Sequence, residues 1–162
     1  MFIVIGVLLG ALLLFRLLGA LGVRRFATWK VSSAHALAAM LVLTASAHFV
    51  PAGVTFMPNH GDMVAMMPPF VPFPGFMVYA TGVLELAGAA ALVIAATRRA
   101  AGLCLALFFV LVLPANVYAA VADVPGASPL WLRIPEQVLY IAIALWAAEL
   151  RRLPAVSRLR SA

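Results

Sequence analysis

Apolar residues in this chain fall in long blocks, not in the short alternations of a soluble domain. Five blocks are long enough to cross a bilayer as helices, for which about 20 predominantly apolar residues suffice. They predict membrane spans over 2–22, 33–50, 76–97, 100–122 and 130–150. Polar residues mark the breaks, and their sign alternates by connection. Arg24, Arg25 and Lys30 follow the first span, Arg98 and Arg99 the third, and Arg151, Arg152, Arg158 and Arg160 the fifth. The connections 51–75 and 123–129 contain neither Lys nor Arg. Basic residues stay on the cytoplasmic side of a membrane. The pattern therefore predicts a protein of the cytoplasmic (inner) membrane, with the N-terminus outside and the C-terminus cytoplasmic.

The first block lacks a positively charged leader and an A-x-A cleavage site, so it reads as a span and not as a signal peptide. Arg16 falls near its inner end, where a long side chain can reach the interface. The second connection holds Pro51, Pro58, Pro68, Pro69, Pro72 and Pro74. Those prolines forbid one continuous helix. The segment 51–75 is expected to run extended or partly re-entrant and to cap the outer face of the bundle.

Composition narrows the class. The chain has 162 residues, 66% of them hydrophobic and 10% charged, with a mean hydropathy of +1.13. Soluble domains carry about 25% charged residues. The expected fold is all-α: an integral membrane helical bundle forming a single membrane domain over 1–162. The net charge of +6 sits at helix ends and reports topology, not nucleic-acid binding. The one cysteine, Cys104, excludes an internal disulfide and dithiol chemistry within the chain.

Against this background Glu85 stands out. It lies in the middle of an apolar span, where an ionised carboxylate costs about 2.5–3.5 kcal/mol on insertion scales. Such a residue persists when it is protonated, paired or turned toward a wet cavity. At 1.5 Å per helical residue, Glu85 lies about 15 Å below the outer end of its helix and Asn116 about 9 Å below the outer end of the next. His48 and Tyr79 lie nearer the outer surface. Arg133, Glu136 and Gln137 occupy the first two turns of the last span, and Arg133 shares a face with Glu136 (i, i+3) and Gln137 (i, i+4). Arg133 can pair with Glu136 locally or reach toward Glu85. Small residues around Glu85 (Thr81, Gly82, Gly88, Ala89) let a neighbouring helix approach, so Glu85 faces protein. His48, Tyr79, Glu85, Asn116, Arg133, Glu136 and Gln137 thus form a candidate pocket in the outer half. The alternative is that these groups only tie helices together.

Five segments then carry a resemblance: AHFVP at 47–51, MPPFVPFPG at 67–75, VYATGVLELAGAAAL at 78–92, LPANVYAA at 113–120 and LWLRIPEQ at 130–137. In this order and spacing the chain resembles the DoxX-like membrane proteins. The resemblance implies a four-helix membrane core, with the first span here an addition to it. It implies association with membrane redox systems, some relatives being subunits of a thiosulfate:quinone oxidoreductase. Others are linked to thiol redox balance or act as receptor-assembly factors. The family's histidine, glutamate, asparagine and arginine–glutamine positions fall on His48, Glu85, Asn116, Arg133 and Gln137.

Cofactor chemistry is constrained by the residues present. Haem is not expected: His35 and His48 share one helix about 20 Å apart, and bis-histidine ligation needs facing helices. One cysteine does not make a structural zinc site. Met57, His60, Asp62, Met63, Met66 and Met67 crowd into the second connection. They would suit Cu(I), but they also serve as apolar filler in a Pro-rich cap. No metal is assigned. Phosphate-binding Gly-rich loops are absent. What is left is an apolar pocket with a few convergent polar groups, the usual form of a small-molecule site. A quinone or lipid-like molecule fits it, with a membrane redox subunit as partner. A non-enzymatic assembly or lipid-handling factor is the competing expectation.

Overall fold

The computed structural model describes residues 2–148. They are helical: α1 (Phe2–Ala20), α2 (Trp29–Ala47), α3 (His60–Ala65), α4 (Pro74–Val93), α5 (Arg98–Val121) and α6 (Leu130–Ala147), with a 3-10 turn at Arg24–Phe26. Among the described residues there is no strand. All but α3 are long and apolar enough to cross a membrane. The arginines at 151, 152, 158 and 160 lie outside the described residues, so their part in the charge alternation rests on sequence.

Helix ends follow local chemistry more closely than hydropathy. α2 starts at Trp29 instead of residue 33, because the Thr28 side chain accepts a hydrogen bond from the Val31 amide (3.3 Å) and caps the helix. α4 starts with Pro74 in its first turn, where the missing N–H costs nothing. It stops at Val93, not 97, because Ile94 turns extended. Pro114 and Pro135 both lie inside helices, and both helices run on through them. From sequence, Pro114 is expected to break the fourth span, but α5 continues through it; neighbouring helices support a proline-containing span. The proline-rich connection is not wholly extended either. Between Pro58 and Pro68 it forms α3, closed by a reciprocal capping box between Asn59 and Asp62.

α2, α4, α5 and α6 pack as a ring in that order, and α1 packs on the outside of α2. α2 is the most enclosed span, and it is rich in small buried residues: Ser32, Ser33, Ala34, Ala36, Ala38, Ala45 and Ala47. Small side chains let the neighbouring backbones come close. α4 and α6 sit across the ring and are not packed on each other.

The arginine-bearing end of the bundle is tied by hydrogen bonds. Arg25 donates from Nε to Nε2 of His35 (3.1 Å) and from Nη2 to the Val93 carbonyl (2.9 Å). His35 donates from Nδ1 to the Val31 carbonyl (2.7 Å), so its Nε2 is the accepting nitrogen and the ring is neutral. Arg98 donates to the Leu92 and Val93 carbonyls (2.8 and 3.1 Å). Both arginines thereby satisfy carbonyls left free at the end of α4. Arg16 donates to the Phe26 carbonyl (2.8 Å) and lies over the Trp29 ring, so it is held by protein and not simply extended to the interface. Replacing Arg25 with Ala is expected to cost about 1–2 kcal/mol, less than a buried charged hydrogen bond because this guanidinium is exposed. Lysine should not restore it, since one ammonium cannot reach both acceptors in the fork geometry. Unfolding midpoints in detergent measure both variants.

Candidate functional site

At the opposite end, where the proline-rich connection lies, α2 and α4 run antiparallel and place two polar turns in register. His48 caps α2 and meets Val78 and Thr81; one turn deeper, Thr44 meets Glu85. His48 Nδ1 lies 2.7 Å from the Val78 carbonyl, which can only accept, so Nδ1 carries a proton. Its Nε2 is then the nitrogen that gains or loses a proton. Nε2 lies 3.6 Å from Oε1 of Glu85, and these side chains are only 9% and 12% exposed. The pair is close enough for strong electrostatic coupling but too long for a formed hydrogen bond.

Thr44 completes the arrangement. Its hydroxyl lies 2.6 Å from Glu85 Oε2 and 3.2 Å from the Leu41 carbonyl, with one proton to give. With Glu85 ionised, the hydroxyl donates to Oε2. With the carboxyl protonated on Oε2, Thr44 can accept from it and donate to Leu41. The two threonine orientations thus accommodate both protonation states without moving a helix.

Gly82 makes this approach feasible. A Cβ there would stand 2.7 Å from His48 Cβ and 3.0 Å from a Phe49 ring carbon. Above His48, His60 of α3 lies 3.1 Å through Nδ1 from the His48 carbonyl, and its ring stacks on Tyr79 at 4.0 Å. Tyr79 is about half exposed, so His60 and Tyr79 form the surface side of this end, with His60 held by the backbone carbonyl of His48 and not by its imidazole.

The remaining candidates group elsewhere. Arg133 pairs with Glu136 on its own helix (3.5 Å), not with Glu85. Glu136, Gln137 and Tyr140 are buried on α6. Asn116 is half-buried on α5 and joins neither group in a hydrogen bond. Sequence reasoning placed seven residues in one pocket; the contacts make two groups, His48–Glu85–Tyr79 on α2 and α4 and Arg133–Glu136–Gln137 on α6. Thr44, Thr81 and His60 were missed for the first, and Tyr140 for the second. The spacing of His48 and Thr44 (i, i+4) against that of Thr81 and Glu85 was the available signal. In the cap, Asp62 is committed to its capping box and His60 Nδ1 to His48.

The second group differs in hydrogen bonding. Both carboxyl oxygens of Glu136, Oε1 of Gln137 and the hydroxyl of Tyr140 are buried with no hydrogen-bond partner. A buried unpaired polar atom costs about 1–3 kcal/mol. Only Glu136 Oε2 has a charged neighbour, the Arg133 guanidinium at 3.5 Å.

An all-helical bundle with five potential membrane spans and a buried histidine–glutamate pair at one end defines the class. Residues 37–148 match a family model described as a domain of unknown function (DUF8561), and the chain belongs to that family. The match begins inside α2, so it takes in α3 to α6 and leaves α1 out. Comparisons with curated proteins and with solved structures give no match.

Proposed function

We propose that this protein binds a quinone- or lipid-class molecule at the cap end of the bundle and exchanges a proton with it through His48 and Glu85. The carrying observation is the pair itself: Nδ1 of His48 is committed to a backbone carbonyl, and Nε2 is left facing a carboxyl inside a membrane span. An ionisable residue at that depth marks a binding or proton-transfer site more often than a packing solution. With one proton between them the pair is neutral overall, whether written as imidazolium–carboxylate or as imidazole–carboxylic acid. It can pass that proton to a ligand oxygen and recover one from the cap end of the bundle. On its DoxX-like motifs we place it as an accessory component of a membrane redox system, in the inner membrane with its N-terminus outside.

A second reading has an observation of its own. Glu85 is already met by Thr44 and His48, which is also what a purely structural tie between α2 and α4 requires. An assembly or lipid-handling factor would use the residues that way. Titrating purified protein in lipid nanodiscs with a decyl-substituted benzoquinone separates the two. Wild type should bind, and Glu85→Gln should bind at least about tenfold more weakly, equivalent to about 1.4 kcal/mol. No binding, or equal binding by both, would overturn the quinone reading and leave the structural one.

A further inference from the structure

The α6 group has a chemistry that the histidine–glutamate pair does not use. Glu136, Gln137 and Tyr140 are 6%, 5% and 4% exposed. Their spacing puts Glu136 and Tyr140 one turn apart on one helix face, with Gln137 beside them. Of these four oxygens, Glu136 Oε2 has the Arg133 guanidinium at 3.5 Å and the other three have no partner; the Gln137 amide oxygen and the oxygens of an ionised Glu136 only accept hydrogen bonds, while the Tyr140 hydroxyl can also donate. What is missing is therefore donors. The Arg133 guanidinium stands 3.5 Å from Glu136 and supplies its counter-charge. A metal cation would add a second positive charge beside Arg133 in a poorly solvated place. A neutral donor fits instead. The Phe109 ring, 5.7 Å from that of Tyr140 and 4% exposed, gives the group an apolar wall.

We infer that Glu136, Gln137 and Tyr140 bind the hydroxyl head of a neutral, membrane-soluble molecule with an apolar body. Resting on the function proposed above, this assigns the preferred ligand state: the hydroquinone, which has two O–H donors, over the quinone, which has none. A hydroxylated glyceride shares the same head chemistry. The site is separate in contacts from His48 and Glu85, and so it is separately testable.

The experiment titrates full-length protein in nanodiscs, under anaerobic conditions, with three probes: a decyl-substituted hydroquinone, the matching quinone, and dioctanoylglycerol. Wild type should bind the hydroquinone at least tenfold more tightly than the quinone. Gln137→Leu should abolish that preference by weakening hydroquinone binding. Tyr140→Phe, which removes only one oxygen, should reduce the preference and serves if the leucine variant does not fold. Binding of dioctanoylglycerol without hydroquinone preference, lost in the same variants, supports the hydroxyl-head site with a lipid as its source. Equal affinity for the two redox forms with no glyceride binding, meaning that ordered water alone fills the group, overturns the inference. In that outcome quinone binding that still weakens in Glu85→Gln leaves the proposed function standing. Absence of binding by all three probes overturns both.

Discussion

His48→Ala should destabilise the protein by about 3–5 kcal/mol, the usual cost of stripping one partner from a buried charge pair. The imidazole contributes both the Nδ1 bond to Val78 and the Nε2 contact with Glu85, and alanine supplies neither. Glu85→Gln should cost much less, because an amide can still accept from Thr44 and donate toward Nε2. The double variant His48→Ala/Glu85→Gln is the decisive member of the series. Once His48 is gone, an uncharged residue at 85 removes the stranded carboxylate, so the two effects should fall short of additivity by about 1–3 kcal/mol. Reversible unfolding in mixed detergent micelles gives all three values. Additive effects would mean that the two side chains do not sense each other.

The other large effect is expected at Gly102, between α5 and α6. A Cβ there would run into the Ala144 carbonyl oxygen and stand 2.9 Å from both the amide nitrogen and Cβ of Ala148. Two of these are backbone atoms, which cannot rotate aside. Glycine in a helix normally costs about 0.5–1 kcal/mol relative to alanine, so a Gly→Ala change in open space should stabilise. At Gly102 the overpacking cost of about 1–3 kcal/mol prevails, and valine should be worse. Gly10 on α1 is the control: nothing lies within 4 Å of its added Cβ, and Gly10→Ala should be neutral or stabilising. The unfolding midpoints of Gly102→Ala and Gly10→Ala should therefore move in opposite directions or differ clearly in size. Equal shifts would contradict the close approach of α5 and α6.

The spans were legible because long apolar runs have few alternatives in a 162-residue chain that is 66% hydrophobic. Their ends were less so. A hydropathy window discounts Trp29 and Lys30, whereas the backbone responds to the Thr28 cap. It also carries the third block up to Thr97, whereas the chain turns extended at Ile94 and arginines take up the carbonyls of Leu92 and Val93. Proline was overweighted at position 114, since a helix packed on both sides loses one hydrogen bond without losing its path.

For the site, Glu85 and His48 announced themselves as charge-bearing groups in apolar surroundings. Thr44 and Thr81 did not. Threonine in a helix commonly bonds to its own backbone, as both do here, and only the antiparallel register gives their hydroxyls a second use. One pocket fed by four helices was the natural expectation from depth alone. Depth carries no information on which helices are neighbours. α4 and α6 lie across the ring, and so Arg133 stays with Glu136 while Glu85 pairs with His48.

The claim on which the rest depends is that Glu85 shares a proton with His48 and gives it up to a bound ligand. Infrared difference spectroscopy in the carboxyl stretching region tests it most directly, recording wild type and Glu85→Gln before and after addition of the decyl-substituted benzoquinone. A carboxyl band that changes on ligand addition in wild type and is missing from Glu85→Gln is the predicted result. A ligand-induced band common to both proteins, or a saturating ligand that leaves the carboxyl region unchanged, would contradict it.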